Sequence, residues 1–180
     1  MPYVLQNSVW KEILTVARHP PHIIGSCMGC RHPLLQNTMN KTRDSRIIEL
    51  PKIADPRGNL SIIEQYENVP FEIRRVYWIY DVPGGFDRGE HAFKENEEMI
   101  VALSGSFDVE IGDGTGRKVY SLNRSYRGLY VPKGLWRRMT NFSTNSLALV
   151  LASRDYSEDD YIENYNDYLK WIAENEENGI

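Results

Sequence analysis

The chain has 180 residues, enough for one domain with an added terminal segment. Hydrophobic residues make up 41% and charged residues 26%, the ordinary balance of a globular protein, and the formal net charge is -4. That acidic balance gives no basic footprint for nucleic acid, and no apolar run approaches the roughly 18 residues that span a bilayer. Lys11, Glu12 and Arg18 interrupt any secretory core near the N-terminus, so with two cysteines the expected setting is the thiol-reducing cytoplasm.

Residues 1–40 differ in character from the rest and read as an N-terminal extension, with one domain over 41–180. Ser8 to Ala17 fits a short amphipathic helix, after which Pro20, Pro21 and Pro33 break regular structure. Cys27 and Cys30, with His19, His22 and His32 nearby, superficially suit zinc, but one Cys-x-x-Cys without a second pair is weak evidence. A strand-rich body begins near Arg46. Asp55-Pro56-Arg57-Gly58-Asn59 is a turn by composition and leads into a strand over Leu60–Glu64. Arg74–Tyr80 is β-branched and aromatic, Pro83-Gly84-Gly85 turns the chain, and Glu98–Leu103 and Ser106–Ile111 follow as strands. Asp113-Gly114 with Gly116 signals a hairpin into Val119–Leu122, and Leu129–Val131 precedes a Pro-x-Gly turn. Leu147–Ala152 is continuously apolar, the pattern of a strand buried on both faces. Short strands at this spacing predict an all-β sandwich or jelly-roll barrel. Ser157 is a candidate N-cap for a closing helix, with Glu158, Asp159 and Asp160 favouring its positive end. That helix would carry Tyr161, Ile162, Tyr165, Tyr168, Leu169 and Ile172 on one face.

Two spaced patterns carry chemistry. Gly85, His91, Glu98 and Gly105 fall on the metal-binding spacing of cupin barrels, with Phe93 where a second histidine belongs. Pro132, Gly134 and Asn141 keep the second pattern, with Arg137 in place of its histidine. In a cupin barrel these patterns converge from facing strands. Three imidazoles and a carboxylate usually hold the metal there; only His91 and Glu98 remain, and Arg137 sets a fixed positive charge where a cation would sit. The expectation is no metal and no cofactor. Arg75, Tyr77, Arg88, His91, Glu98 and Arg137 should line or rim one cavity, since Arg75 and Tyr77 share a strand parity. Arginines there suit a phosphate or diphosphate. Trp78, Tyr130 and Trp136 are either stacking platforms for a base or sugar, or core and interface residues.

The stretch from Asp55-x-Arg57-Gly58, through Pro70-Phe71-x-Ile73-x-Arg75-Val76-Tyr77, to Arg88-Gly89-x-His91-Ala92-x-Lys94 resembles the sugar-nucleotide 3,4-ketoisomerases of the WxcM-like cupin family. Gly128-Leu129-Tyr130-Val131, Asn141-Phe142-Ser143 and Asp159-x-Tyr161-Ile162-x-x-Tyr165 continue the likeness, which spans about residues 46 to 172. It implies a cupin-type double-stranded β-helix with a C-terminal helix, beside the short N-terminal helical extension. It implies a metal-free isomerase that moves the keto group of dTDP-4-keto-6-deoxyglucose from C4 to C3 through an enediol, for surface-glycan deoxy-sugars. It also implies a homodimer with exchanged N-terminal strands.

On that resemblance His91 is the expected proton-transfer residue, assisted by Tyr77, and an imidazole of ordinary pKa near 6.5 suits transfer in either direction. Arg57, Arg75 and Arg88 would orient the substrate or its diphosphate, and Glu98 and Arg137 would tune the pocket. Phe93 is the departure: the family typically carries a second histidine there, and phenylalanine transfers no proton. Three readings follow: His91 and Tyr77 carry the chemistry alone, the substrate differs, or the chain is a non-catalytic sugar-nucleotide-binding cupin.

Overall fold

The computed structural model describes residues 44–177. The expected helix at residues 8–17 and the Cys27/Cys30 pair lie outside the described residues. The described residues form twelve strands: β1 (Arg46–Glu49), β2 (Lys52–Ile53), β3 (Leu60–Ser61), β4 (Arg75–Tyr80), β5 (Arg88–Phe93), β6 (Glu98–Ser104), β7 (Phe107–Gly112), β8 (Arg117–Leu122), β9 (Arg127–Val131), β10 (Trp136–Thr140), β11 (Leu147–Ala152) and β12 (Tyr161–Ile162). One α-helix, α1 (Tyr165–Glu177), closes the described chain. Two antiparallel five-stranded sheets, ordered β1-β9-β6-β11-β4 and β12-β5-β10-β7-β8, face each other, and β2 and β3 form a small ribbon. This is the jelly-roll barrel of the cupin class.

Alternation along the strands builds the space between the sheets. Ile100, Leu129, Ala148 and Val150 come from the first sheet, Phe107, Val109, Ile111 and Met139 from the second, and all are fully buried in one cluster. Burying a side chain of the Phe or Ile size stabilises by about 1.5–3 kcal/mol. The outward side of the first sheet carries a second cluster, in which Met99, Val101 and Leu151 are covered by Val69 and Phe71. Leu147–Ala152 is therefore less enclosed than its composition suggests: Ala148, Val150 and Ala152 are buried, whereas Leu147 and Leu149 are half-buried on the outer face. The expected strand after the Asp55 turn is also shorter, ending at Ser61.

The C-terminal segment departs further from expectation. The Ser157 side chain makes no cap bond, and the acidic residues 158–160 form a single 3-10 turn. Tyr161 and Ile162 are not helical but add the edge strand β12 to β5. The helix starts later, capped by Asn164, whose Oδ1 accepts the backbone N–H groups of Asn166 and Asp167 at 2.9 and 3.3 Å. Its docking residue is Tyr168, which is fully buried. The Tyr168 hydroxyl donates to the carbonyl of Gly112 at 2.9 Å, lies 3.2 Å from the Gly134 carbonyl, and accepts the Trp136 N–H at 3.2 Å. Trp136, Ala92 and Ile162 pack around it on the outside of the second sheet. Tyr168→Phe strands these backbone groups without a partner. A loss of about 1–3 kcal/mol in urea unfolding is expected, with little change in near-neutral activity.

Candidate active site

Paired residues on neighbouring strands project to the same face of a sheet, so register decides which side chains meet. In the second sheet Arg137 is paired with His91, and Tyr161 with Phe93. These four side chains share the inner face. From the opposite wall, β11 aligns Ala152 between Glu98 and Arg75, and Val150 between Ile100 and Tyr77. Glu98, Arg75 and Tyr77 therefore point inward to meet them.

The centre is a buried ion pair that joins the two sheets. Arg137 Nε stands 2.5 Å from Glu98 Oε2, and Arg137 Nη2 donates to Glu98 Oε1 at 3.1 Å. The Tyr77 hydroxyl donates to Glu98 Oε1 at 2.6 Å and accepts from Arg137 Nη2 at 3.0 Å. Arg137 is 2% exposed and Glu98 1%. Burial alone would lower the guanidinium's pKa, but the facing Glu98 and Tyr77 oxygens outweigh it and hold Arg137 charged. Burial pushes the Tyr77 phenol strongly upward, against Arg137 and with Glu98. Its proton is committed to Glu98. Both carboxylate oxygens are thus engaged, and among the described residues no three His, Cys, Asp or Glu side chains converge as metal ligands. Arg137 Nη1 has no hydrogen-bond partner among the described residues.

The glycines of the motifs have local tasks. Gly89 holds φ at +75°, and a Cβ there would lie 2.3 Å from Arg137 Nη1, so the guanidinium occupies space that only glycine leaves open. Gly105, at φ +65°, would set a Cβ 2.5 Å from Ser143 Oγ, which caps the Ser106 N–H. Asn141 takes φ +54° and bonds Asp108 through its side chain at 2.8 Å. It shapes a turn.

His91 is half-buried beside the ion pair, and its Nε2 is buried without a partner among the described residues. Its ring centroid lies 4.8 Å from that of Phe93, edge-on, and 4.9 Å from that of Tyr161. The ordinary imidazole pKa does not survive here. Burial first, then the charges of Arg137 and Arg75, push His91 down to about 3. The ring is neutral at pH 7 and presents a lone pair. Phe93 is 4% exposed, and its ring packs against Tyr161 at 4.5 Å and under the Arg137 guanidinium at 5.5 Å.

The remaining candidates divide. Arg75 joins the cluster, its guanidinium 5.4 Å over the Tyr77 ring and 5.6 Å over Tyr156. Arg57 does not: it is exposed and held by Asp55 within its own turn at 2.9 Å. Arg88 is exposed at the start of β5. None of the three possible stacking aromatics faces His91. Trp136 packs under α1 against Tyr165 and Tyr168, Tyr130 bonds Glu97, and Trp78 is exposed on the outer face of β4. Tyr161, which the expected helix would have carried away, stands inside the cluster. Beside it a groove of about 940 Å³, lined by Arg74, Lys94, Arg154 and Tyr156 among others, adjoins the cluster at Tyr156 without reaching His91 or Arg137.

Residues 43–173 match the family described as WxcM-like, C-terminal. The chain belongs to the WxcM-like family. The TDP-4-oxo-6-deoxy-alpha-D-glucose-3,4-oxoisomerase of Aneurinibacillus thermoaerophilus is 42% identical over 72% of this chain and 94% of its own length. The TDP-quinovose 3,4-ketoisomerase structure from Campylobacter jejuni is 43% identical, covers 71% of this chain and 98% of that one, and superposes with a TM-score of 0.68. A variant 3,4-ketoisomerase from Thermoanaerobacterium thermosaccharolyticum, solved with TDP-4-keto-6-deoxyglucose, is 35% identical over 72% of this chain and 94% of that one, with a TM-score of 0.70. Within this WxcM-like chain, Phe93 stands edge-on beside the neutral His91.

The depressed His91 pKa has a consequence for stability. The unfolded histidine takes up its proton near pH 6.5 and the folded one only near 3, so the unfolded state binds more protons in that window. Stability contributed by neutral His91 is present above pH 6.5 and lost as pH falls toward 3. Between pH 7 and pH 4, urea unfolding of wild type should lose stability that His91→Gln, with no titrating group there, does not lose. The extra slope is at most about 1.4 kcal/mol per pH unit for one proton. Equal slopes for the two proteins overturn the assignment.

Proposed function

We propose that this chain is a sugar-nucleotide 3,4-ketoisomerase acting on a dTDP-linked 4-keto-6-deoxyhexose. The observation that carries the reading is the neutral His91, its Nε2 without a partner among the described residues, next to a locked guanidinium. The hydrogen at C3 is acidified by the C4 ketone. His91 takes that proton, the C–H electrons form the C3–C4 double bond, and the carbonyl electrons move to O4. Arg137, with Nη1 free of any described partner, supplies fixed positive charge for the enediolate without reorganising. Arg75 lies where it can orient an anionic substrate. The similarity to isomerases supports the catalytic reading over a non-catalytic binding role. Its product would enter deoxy-sugar synthesis for surface polysaccharides in the cytoplasm.

The test is to incubate the protein with TDP-4-keto-6-deoxyglucose in deuterium oxide and follow it by NMR. A 3-keto product carrying deuterium at C4 is expected, with His91→Asn slower by about 100-fold or more. Neither product nor exchange would sink the reading for this substrate.

The same reading includes a homodimer. Val76, Trp78 and Tyr80 are 49%, 59% and 60% exposed along one side of β4, the edge strand of its sheet. With the half-buried Leu147 and Leu149 of β11 they make an apolar strip suited to a second copy. At the other edge, β1 pairs with β9 through four residue pairs, a joint that an exchanged N-terminal strand can make equally well. Sedimentation should give a dimer for wild type and mostly monomer for Trp78→Glu; unchanged mass for that variant counts against this face.

A further inference from the structure

Among the described residues, Tyr161 sets beside His91 a phenol whose proton is not already given to a partner. Tyr77 gives its proton to Glu98. Phe93 has none to give. Tyr161 is set directly across from Phe93 in the β12–β5 register, its ring 4.5 Å from Phe93 and 4.9 Å from His91. Its hydroxyl makes no hydrogen bond to any described residue, and its charge, when ionised, is felt by both Tyr77 and Arg137. On the outer side its ring approaches Tyr156 at 5.6 Å, so it bridges the enclosed cluster and the exposed rim.

The position is built, not incidental. Asp160, the preceding residue, accepts the N–H groups of Glu95 and Asn96 on its two carboxylate oxygens at 2.7 and 3.1 Å. Its carbonyl accepts the Lys94 N–H at 2.9 Å, and Lys94 Nζ donates to the Asp159 carbonyl at 2.6 Å. Four bonds thus tie the segment carrying Tyr161 to the end of the strand carrying His91 and Phe93. That rigidity suits a group that must meet a carbon atom within a narrow range of positions.

We propose that Tyr161 is the second proton-transfer residue, delivering the proton to C4 after His91 has removed the one at C3. This rests on the isomerase reading above. In the second half of the reaction the imidazolium of His91 returns its proton to O4, the enediol loses its O3 proton to water, the O3 electrons form the C3 carbonyl, and the C3–C4 double bond takes up the phenolic proton at C4. The phenolate recovers from water the equivalent of the proton that O3 released, so both residues are restored and the cycle closes with no oxidant or reductant. The division of labour compensates for Phe93: one ring accepts, its neighbour donates.

The experiment compares wild type with Tyr161→Phe, which keeps the ring contacts and deletes only the hydroxyl. Both are given TDP-4-keto-6-deoxyglucose in deuterium oxide, and exchange at C3 of the substrate is read separately from deuterated product. The expected result is turnover lowered by about 100- to 10,000-fold with KM little altered, while substrate C3 exchange continues near the wild-type rate. Wild-type turnover in Tyr161→Phe overturns the proposal, and so does parallel loss of exchange and product. If wild type itself neither exchanges nor isomerises, the isomerase reading fails and this one with it. The two failures are therefore distinguishable.

Discussion

The site depends on one contact, the Arg137–Glu98 pair buried between the sheets. Glu98 lies on β6 of one sheet and Arg137 on β10 of the other, so the pair also fixes how the two walls stand at this end of the barrel. Removing two charges from water is costly, and a buried ion pair is seldom the most stable filling for such a space. Its presence here is better understood through what it does to its surroundings. The guanidinium is held in place by the carboxylate and the Tyr77 hydroxyl, it faces Phe93, and it suppresses protonation of His91. This fixed cation adds to burial in lowering the His91 pKa and opposes burial at the Tyr77 phenol.

This changes the meaning of the motif positions. In a metal-binding cupin the carboxylate and imidazoles converge on an ion. Here the same positions converge on a side chain, and the positive charge cannot be exchanged, chelated or lost. The electrostatic task is retained, while coordination and redox chemistry are outside the reach of such a donor set.

Much of this was legible in the sequence. The spacing of His91, Glu98 and Arg137 placed them together correctly, because barrel topology converts those intervals into facing strands. The shared parity of Arg75 and Tyr77 was equally readable. Tyr161 was not. Two residues are too few to show strand alternation, and the tyrosines at 161, 165 and 168 also fit a helical face, so the sequence pattern starts the helix too early. Ser157 and Asn164 are both good caps by type, and only the bonds to Asn166 and Asp167 distinguish them. The depressed His91 pKa was invisible for another reason: it arises from burial and two arginines distant in sequence. Arg57 stands apart from the cluster, bonded by Asp55 two positions earlier, a local contact that strand parity does not show.

Gly89 gives the arrangement an evolutionary dimension. The space its missing Cβ would fill is taken by Arg137 Nη1, so the two positions are not free to vary independently. A lineage that shortened residue 137 would relax the steric demand at residue 89, though the left-handed backbone would still disfavour most replacements. A lineage that kept the arginine could accept no side chain there at all without moving the charge. Among relatives, arginine at 137 should therefore travel with glycine at 89 more tightly than the turn alone requires, a record in descent of where the cation sits.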